Sequence, residues 1–145
     1  MYWITEKLAI GGLVDIEFGG QVTALLNLCE EESYDPPQKI DFYHDGFPDI
    51  QPFPLEKIWD CVRWIDQRIG AGHRVLVHCA EGNSRSVSVV MAYLLYKGHS
   101  LDEAREMILA KKPFCTQAGQ STGEPQYFHE EFLAEWLRFL GERQP

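Results

Sequence analysis

The chain lacks any apolar run long enough to span a bilayer, so a helical membrane anchor is not expected. It also lacks a signal-peptide pattern, because Glu6 and Lys7 interrupt the opening apolar residues. Basic residues are scarce: 13 Lys and Arg face 22 Asp and Glu, a net charge of −9. That balance argues against nucleic acid or an anionic membrane surface as the main partner, while leaving room for a local positive pocket. Four cysteines, Cys29, Cys61, Cys79 and Cys115, form no C-x-x-C pair, so no zinc-type site and no metal is expected. Free thiols suit a reducing cytoplasm, where we place the chain. No internal repeat and no long linker divides the sequence, so one domain over residues 1–145 is expected, large enough to bury its own core.

Strand and helix signals alternate along the chain. Trp3–Thr5 and Leu8–Ile10 read as short strands around a Glu6-Lys7 turn, closed by Gly11-Gly12, and residues 14–20 as a short helix or loop. Val22–Cys29 is a buried-strand candidate that ends in the acidic run Glu30-Glu31-Glu32, read as a solvated loop without function. Asp41–His44 reads as another strand and Asp45–Asp49 as the loop after it. Leu55, Ile58, Val62, Ile65 and Ile69 then recur on one face of a helix. Ser100-x-x-Glu103 is a capping box opening a helix to about Lys111, and 116–124 is a polar loop. Gln126–Leu140 predicts a last helix with Phe128, Phe132, Trp136 and Phe139 facing a core. The pattern implies an α/β fold, a central mixed or parallel sheet flanked by helices.

The chemistry concentrates in Arg74–Ser88, RVLVHCAEGNSRSVS. Val75–His78 reads as a short buried strand running into Cys79. Ala80, Glu81, Gly82, Asn83 and Ser84 suit a tight loop, and Arg85 and Ser86 open a segment to Tyr96 with helical apolar spacing. A loop between a strand and a helix gathers backbone N–H groups, and the helix start adds its positive end. Such a nest holds a tetrahedral oxyanion, and the planar fork of Arg85 can grip two of its oxygens. The same field favours a thiolate at Cys79, the nucleophilic form. Gly82 permits the positive φ that a close backbone approach needs.

His78-Cys79-x5-Arg85-Ser86, with Gly82 inside, resembles the motif of cysteine-dependent protein tyrosine phosphatases, and its HC-x-x-G-x-SRS form is most similar to the dual-specificity branch. The resemblance implies a phosphomonoester hydrolase without a cofactor, acting on phosphorylated protein or a small phosphomonoester and working as a monomer. Cys79 would attack phosphorus and form a phosphocysteine, while the 80–84 loop and Arg85 hold the equatorial oxygens. Ser86 would hydrogen-bond the departing sulfur, and His78 would orient the loop. The family's general acid is an Asp on a loop about thirty residues before the Cys. Asp45 is preferred here, since it follows a strand signal and opens an Asp-Gly-x-Pro stretch; Asp49 is the rival. Gln126 and His44 read first as surface and turn residues.

Glu81 stands where many dual-specificity members carry a small residue, and no lysine lies between Cys79 and Arg85. Both features weigh against polyphosphorylated ligands. Phosphotyrosine, phosphoserine or phosphothreonine is the expected substrate. A phosphopeptide-binding module without turnover, a sulfurtransferase and an arsenate reductase remain as alternatives at this point. One of the other cysteines could serve as a resolving thiol for Cys79.

Overall fold

The computed structural model describes residues 1–17, 21–37, 39–112 and 128–143. Within them run β1 (Tyr2–Thr5), β2 (Leu8–Gly11), a 3-10 turn (Leu13–Glu17), β3 (Ala24–Cys29) and β4 (Asp41–Phe47). Then follow α1 (Leu55–Gly70), β5 (Val75–His78), α2 (Arg85–Tyr96), α3 (Leu101–Lys111) and α4 (Glu130–Arg143). The strands form one sheet in the order β1-β2-β5-β3-β4. The β1–β2 hairpin is antiparallel and the other pairings are parallel. The expected mixed sheet flanked by helices is therefore the fold.

The strands owe their form to apolar, partly β-branched runs buried on both faces, as parallel strands require. On one face Ile4, Leu8, Ile10, Leu26, Leu28, Val75 and Val77 join apolar residues from all four helices in the main core. On the other, Ala9, Leu25 and Leu76 pack with Val22 under Trp3, Ile16, Tyr34, Ile40 and Phe42. The second cover thus comes from loops and the 3-10 turn rather than from helices. The Ser100–Glu103 capping box forms as expected, with both reciprocal hydrogen bonds present. Phe128, Phe132, Trp136 and Phe139 are all buried. Gln126, Cys115 and the 116–124 loop lie outside the described residues.

One boundary differs from expectation in a way that affects the site. β4 continues through Phe47, because the pairing with β3 resumes at Cys29–Phe47 after an irregularity. Asp45 therefore lies within a strand and not at the head of a loop. His44, also in β4, places Nε2 2.7 Å from the Cys29 carbonyl and is no turn residue.

The central position of β5 sets where the site must lie. Its last residue, His78, is in register with Gly11 of β2 and Asn27 of β3. Cys79 follows at the C-terminal edge of the sheet, where open α/β sheets present loops to ligands. The buried helix α2 returns from that edge beneath α4, tied by Trp136 Nε1–H donating to the Ala92 carbonyl at 3.0 Å. Replacing that indole by Trp136→Phe keeps an aromatic ring but removes the second donor to the Ala92 carbonyl and part of the buried ring volume. Urea unfolding should show a loss of about 1–3 kcal/mol, read as a lower midpoint with an unchanged slope.

Candidate active site

The loop after β5 is shaped by backbone contacts that only small residues permit. Gly82 has φ +79°, and a Cβ there would lie 2.7 Å from the Gly11 carbonyl oxygen. A Cβ on Gly12 would meet the Ala80 carbonyl oxygen at 2.8 Å. The Leu13 N–H donates to that same carbonyl at 3.0 Å. The loop is thus seated directly on the glycine pair ending β2.

Cys79 is 2 % exposed at the floor of this loop. Its sulfur receives the Gly82 N–H at 3.3 Å and lies 3.2 Å from the Ser86 hydroxyl. No hydrogen bond of the described residues uses the N–H groups of Ala80, Glu81, Asn83 or Ser84. Four backbone donors of the loop beside the nucleophile candidate therefore have no acceptor among the described residues, a cost that a bound oxyanion would relieve.

Arg85, the first residue of α2, is 3 % exposed and held from behind. Nη1 donates to the Phe47 carbonyl at 2.9 Å. Nη1 and Nη2 together grip both oxygens of Glu31, at 2.8 and 2.9 Å. Glu31 belongs to the acidic run read above as a plain solvated loop, and this corrects that reading. Asn27 positions the run: Oδ1 accepts from the Cys29 N–H at 2.8 Å and Nδ2 donates to the Glu32 carbonyl at 3.0 Å. The hydrogen bonds from Arg85 hold the Glu31 carboxyl down to about 2, so the pair stays charged through the neutral range. Arg85 Nε remains buried and unpartnered among the described residues. The guanidinium therefore has its Nη1/Nη2 edge occupied by the protein and its Nε/Nη2 edge still able to bind.

His78 is buried and neutral. Burial pushes its ring down to about 4, outweighing the opposing hydrogen bond that it donates to the Cys79 carbonyl. Nδ1 lies 3.3 Å from the Cys79 carbonyl and Nε2 2.6 Å from the Tyr34 hydroxyl. A neutral ring satisfies both contacts with N–H on Nδ1 and Nε2 accepting from Tyr34, whose hydroxyl burial keeps protonated.

The two acid candidates separate in space. The Asp45 carboxylate accepts from the Tyr43 hydroxyl at 2.9 Å, lies 3.8 Å from the Cys61 sulfur and is 3.6 Å from Lys57 of α1. It is bound to the β4–α1 side of the molecule, which conflicts with the expectation that Asp45 heads an open loop. Asp49 lies on the exposed segment before α1, and its Oδ1 accepts from the Ser84 hydroxyl at 2.7 Å. The spacing from the cysteine does not separate two aspartates four residues apart; the β3–β4 pairing puts Asp45 in a strand and leaves Asp49 in the segment beyond it.

Three further contacts were not legible in the motif. Lys112, buried just beyond α3, donates Nζ to the Asn83 side chain at 2.9 Å, giving the loop a cation from elsewhere in the chain. His129, just before α4, reaches Ser84 from the other side at 2.8 Å. Cys29 lies near Arg85 and Cys79, with burial pushing its thiol up to about 12. Glu81 is exposed, so its charge faces water. Among the described residues no group of His, Cys, Asp and Glu has metal-holding geometry, and no helix is long and apolar enough to cross a membrane.

The model of one family, described as the dual specificity phosphatase catalytic domain, matches residues 20–122. The chain belongs to that family. Among curated relatives, dual specificity protein phosphatase 1 of Arabidopsis thaliana is 46% identical over 64 residues, which are 43% of this chain and 32% of the relative. The first curated relatives are thus matched over about a third of their length or less. Two solved structures share the fold over nearly the whole chain. Tk-PTP in its active form aligns with a TM-score of 0.71 and 24% identity, covering 97% of this chain and 95% of that one. The human tyrosine phosphatase-like serine/threonine/tyrosine-interacting protein aligns with a TM-score of 0.76 and 18% identity, covering 100% and 98%.

The buried His78 carries a pH signature. Folded, it takes up its proton only near pH 4; unfolded, it does so near 6.5. Between those values the unfolded chain binds more protons, so stability must fall as pH drops from about 6.5 towards 4. The loss attributable to this ring is at most about 3 kcal/mol. Urea melts of His78→Gln beside the parent protein over that range should show a flatter pH dependence in the variant.

Proposed function

We propose that this chain is a protein phosphatase catalytic domain, with residues 1–145 forming one unit, that hydrolyses phosphotyrosine, phosphoserine or phosphothreonine through a phosphocysteine. The observation that carries the reading is Arg85. One edge of its guanidinium is fixed by Glu31 and the Phe47 carbonyl, and the other ends in a buried, unpartnered Nε beside a loop of unused amides. An oxyanion with two oxygens for that edge and others for the amides of the Ala80–Ser84 loop completes every one of these donors.

In the first step the Cys79 sulfur attacks phosphorus in line with the ester oxygen. The S–P bond forms, the P–O bond breaks, and Asp49 transfers a proton to the leaving oxygen. Asp49 supports this role better than Asp45, because it is exposed and already bonded to the rim of the cradle. Asp45 would have to leave Tyr43 and Lys57 first. In the second step Asp49 takes a proton from water as its oxygen attacks phosphorus. The sulfur leaves as a thiolate, stabilised by the Gly82 N–H and the Ser86 hydroxyl at the distances already present. His78 contributes by bracing the Cys79 carbonyl, not by moving protons.

The exposed Glu81 and the Lys112–Asn83 contact leave the rim mixed in charge, which supports a single phosphate on a peptide over a densely phosphorylated ligand. A binding module without turnover is not favoured, since thiol, guanidinium and hydroxyl are all in place. The buried free thiols Cys29, Cys61 and Cys79 support work in a reducing compartment such as the cytoplasm, and we propose a monomer.

Turnover of an aryl phosphate with chelator present, followed by phosphate release from phosphotyrosyl, phosphoseryl and phosphothreonyl peptides, tests the reading. Cys79→Ser should abolish turnover and still bind the ester. Asp49→Asn should lower kcat by about 10²–10³-fold, the usual size of a lost general acid. Asp45→Asn should change kcat by less than about tenfold, since it perturbs packing next to α1 and not proton transfer. Equal damage from both aspartates, or a reversed order, would show that Asp49 is not the acid.

A further inference from the structure

Three separate segments of the chain converge on one hydroxyl. Ser84 Oγ donates to Asp49 Oδ1 at 2.7 Å and lies 2.8 Å from His129 Nε2. A serine hydroxyl has a single proton. With that proton directed at Asp49, the facing nitrogen of His129 must present an N–H, and the donor chain runs from His129 through Ser84 to Asp49. Burial moves His129 towards its neutral form, with Asp49 opposing more weakly, so a neutral ring with its hydrogen on Nε2 fits the arrangement.

Two features show that the hydroxyl is committed to this chain. Ser84 occupies the N-cap position of α2, where a serine oxygen ordinarily accepts from its own helix, yet it makes no such bond. The His129 ring is also held in place, edge-on to Phe53 at a centroid distance of 5.2 Å, and Phe53 in turn packs against Phe47 and Phe132. Asp49 by contrast lies in an exposed segment. Its Oδ2 has no partner among the described residues, so one carboxylate oxygen is tethered and the other is available to carry a proton.

We propose that His129 is a positioning residue for the general acid. It holds the Ser84 hydroxyl in the orientation that tethers Asp49 Oδ1 and leaves Oδ2 over the leaving oxygen. The proposal rests on the reading of Asp49 as the acid, and it adds a role for a residue 45 positions beyond Ser84, just ahead of α4. No proton needs to pass along the chain. His129 acts by orientation, so its loss should matter most where the leaving group depends most on protonation.

The test is the dependence of kcat/KM on leaving group across aryl phosphates, from 4-nitrophenyl to phenyl, since kcat/KM reports the first chemical step. A positioned acid makes that dependence shallow, and its loss makes it steep. His129→Leu should cost less than about threefold on the nitrophenyl ester and about 10–100-fold on phenyl phosphate. His129→Gln, whose amide can place an N–H near the Nε2 site, should recover most of that loss. Ser84→Ala breaks the same link with little change of volume and should steepen the dependence in the same way, so the test survives a His129→Leu variant that fails to fold. A uniform loss across all esters in these variants would make His129 a packing residue and overturn the proposal alone, provided Asp49→Asn still steepens the series. A shallow series in Asp49→Asn would overturn both this proposal and the acid assignment beneath it.

Discussion

A guanidinium has two edges able to make paired hydrogen bonds, and the site depends on how Arg85 divides them. The edge formed by Nη1 and Nη2 is given to Glu31 and the Phe47 carbonyl, which fixes the plane and the depth of the group. The edge that includes Nε is left for an oxyanion. Had Glu31 taken the inner edge, it would compete with any phosphate. Taking the outer one, it acts as a brace and partly offsets the positive charge buried beneath the cradle. A carboxylate that is itself about half exposed, 52%, can do this because its charge stays partly hydrated while the arginine's is not.

The brace in turn depends on the sheet. Glu31 follows β3, the Phe47 carbonyl ends β4, and Arg85 follows β5 through the loop, so three parallel strands must finish at one edge for the group to be held. Asn27, buried at the level of His78, turns the β3 end back on itself and sets where Glu31 arrives. Parallel topology therefore does more than bury β5. It collects residues distant in sequence at the ends of neighbouring strands, which is the general reason ligands sit at this edge of open sheets.

That same dispersal explains what the sequence could and could not disclose. The stretch from Val75 to Tyr96 carries its own local signals: an apolar β-branched run, small loop residues and then helical spacing. Its strand, loop and helix were legible residue by residue, as was the capping box at Ser100. Glu31 was not, because an acidic triplet after a strand has the same composition whether it faces water or an arginine. The preference for Asp45 leaned on a boundary that lies elsewhere, since β4 runs on to Phe47. An Asp-Gly pair ordinarily turns a chain, but here β3 pairing carries β4 through Gly46 to Phe47, and a tertiary constraint outweighs the local one. A Cβ at Gly46 would lie 2.7 Å from the Glu30 backbone, so the glycine serves close approach of two segments and not a turn. His129 gave no local signal at all, since its partner Ser84 lies 45 residues away in the chain and meets it only in the folded state.

The seating of the loop on Gly11 and Gly12 has an outcome of its own. Backbone rests on backbone there, with no side chain between them to absorb a shift. Any displacement of the amino-terminal hairpin is therefore passed undamped to the loop whose Gly82 N–H meets the sulfur. Selection on reactivity thus reaches hairpin residues such as Tyr2 and Trp3, which tilt the platform on which the anion cup stands.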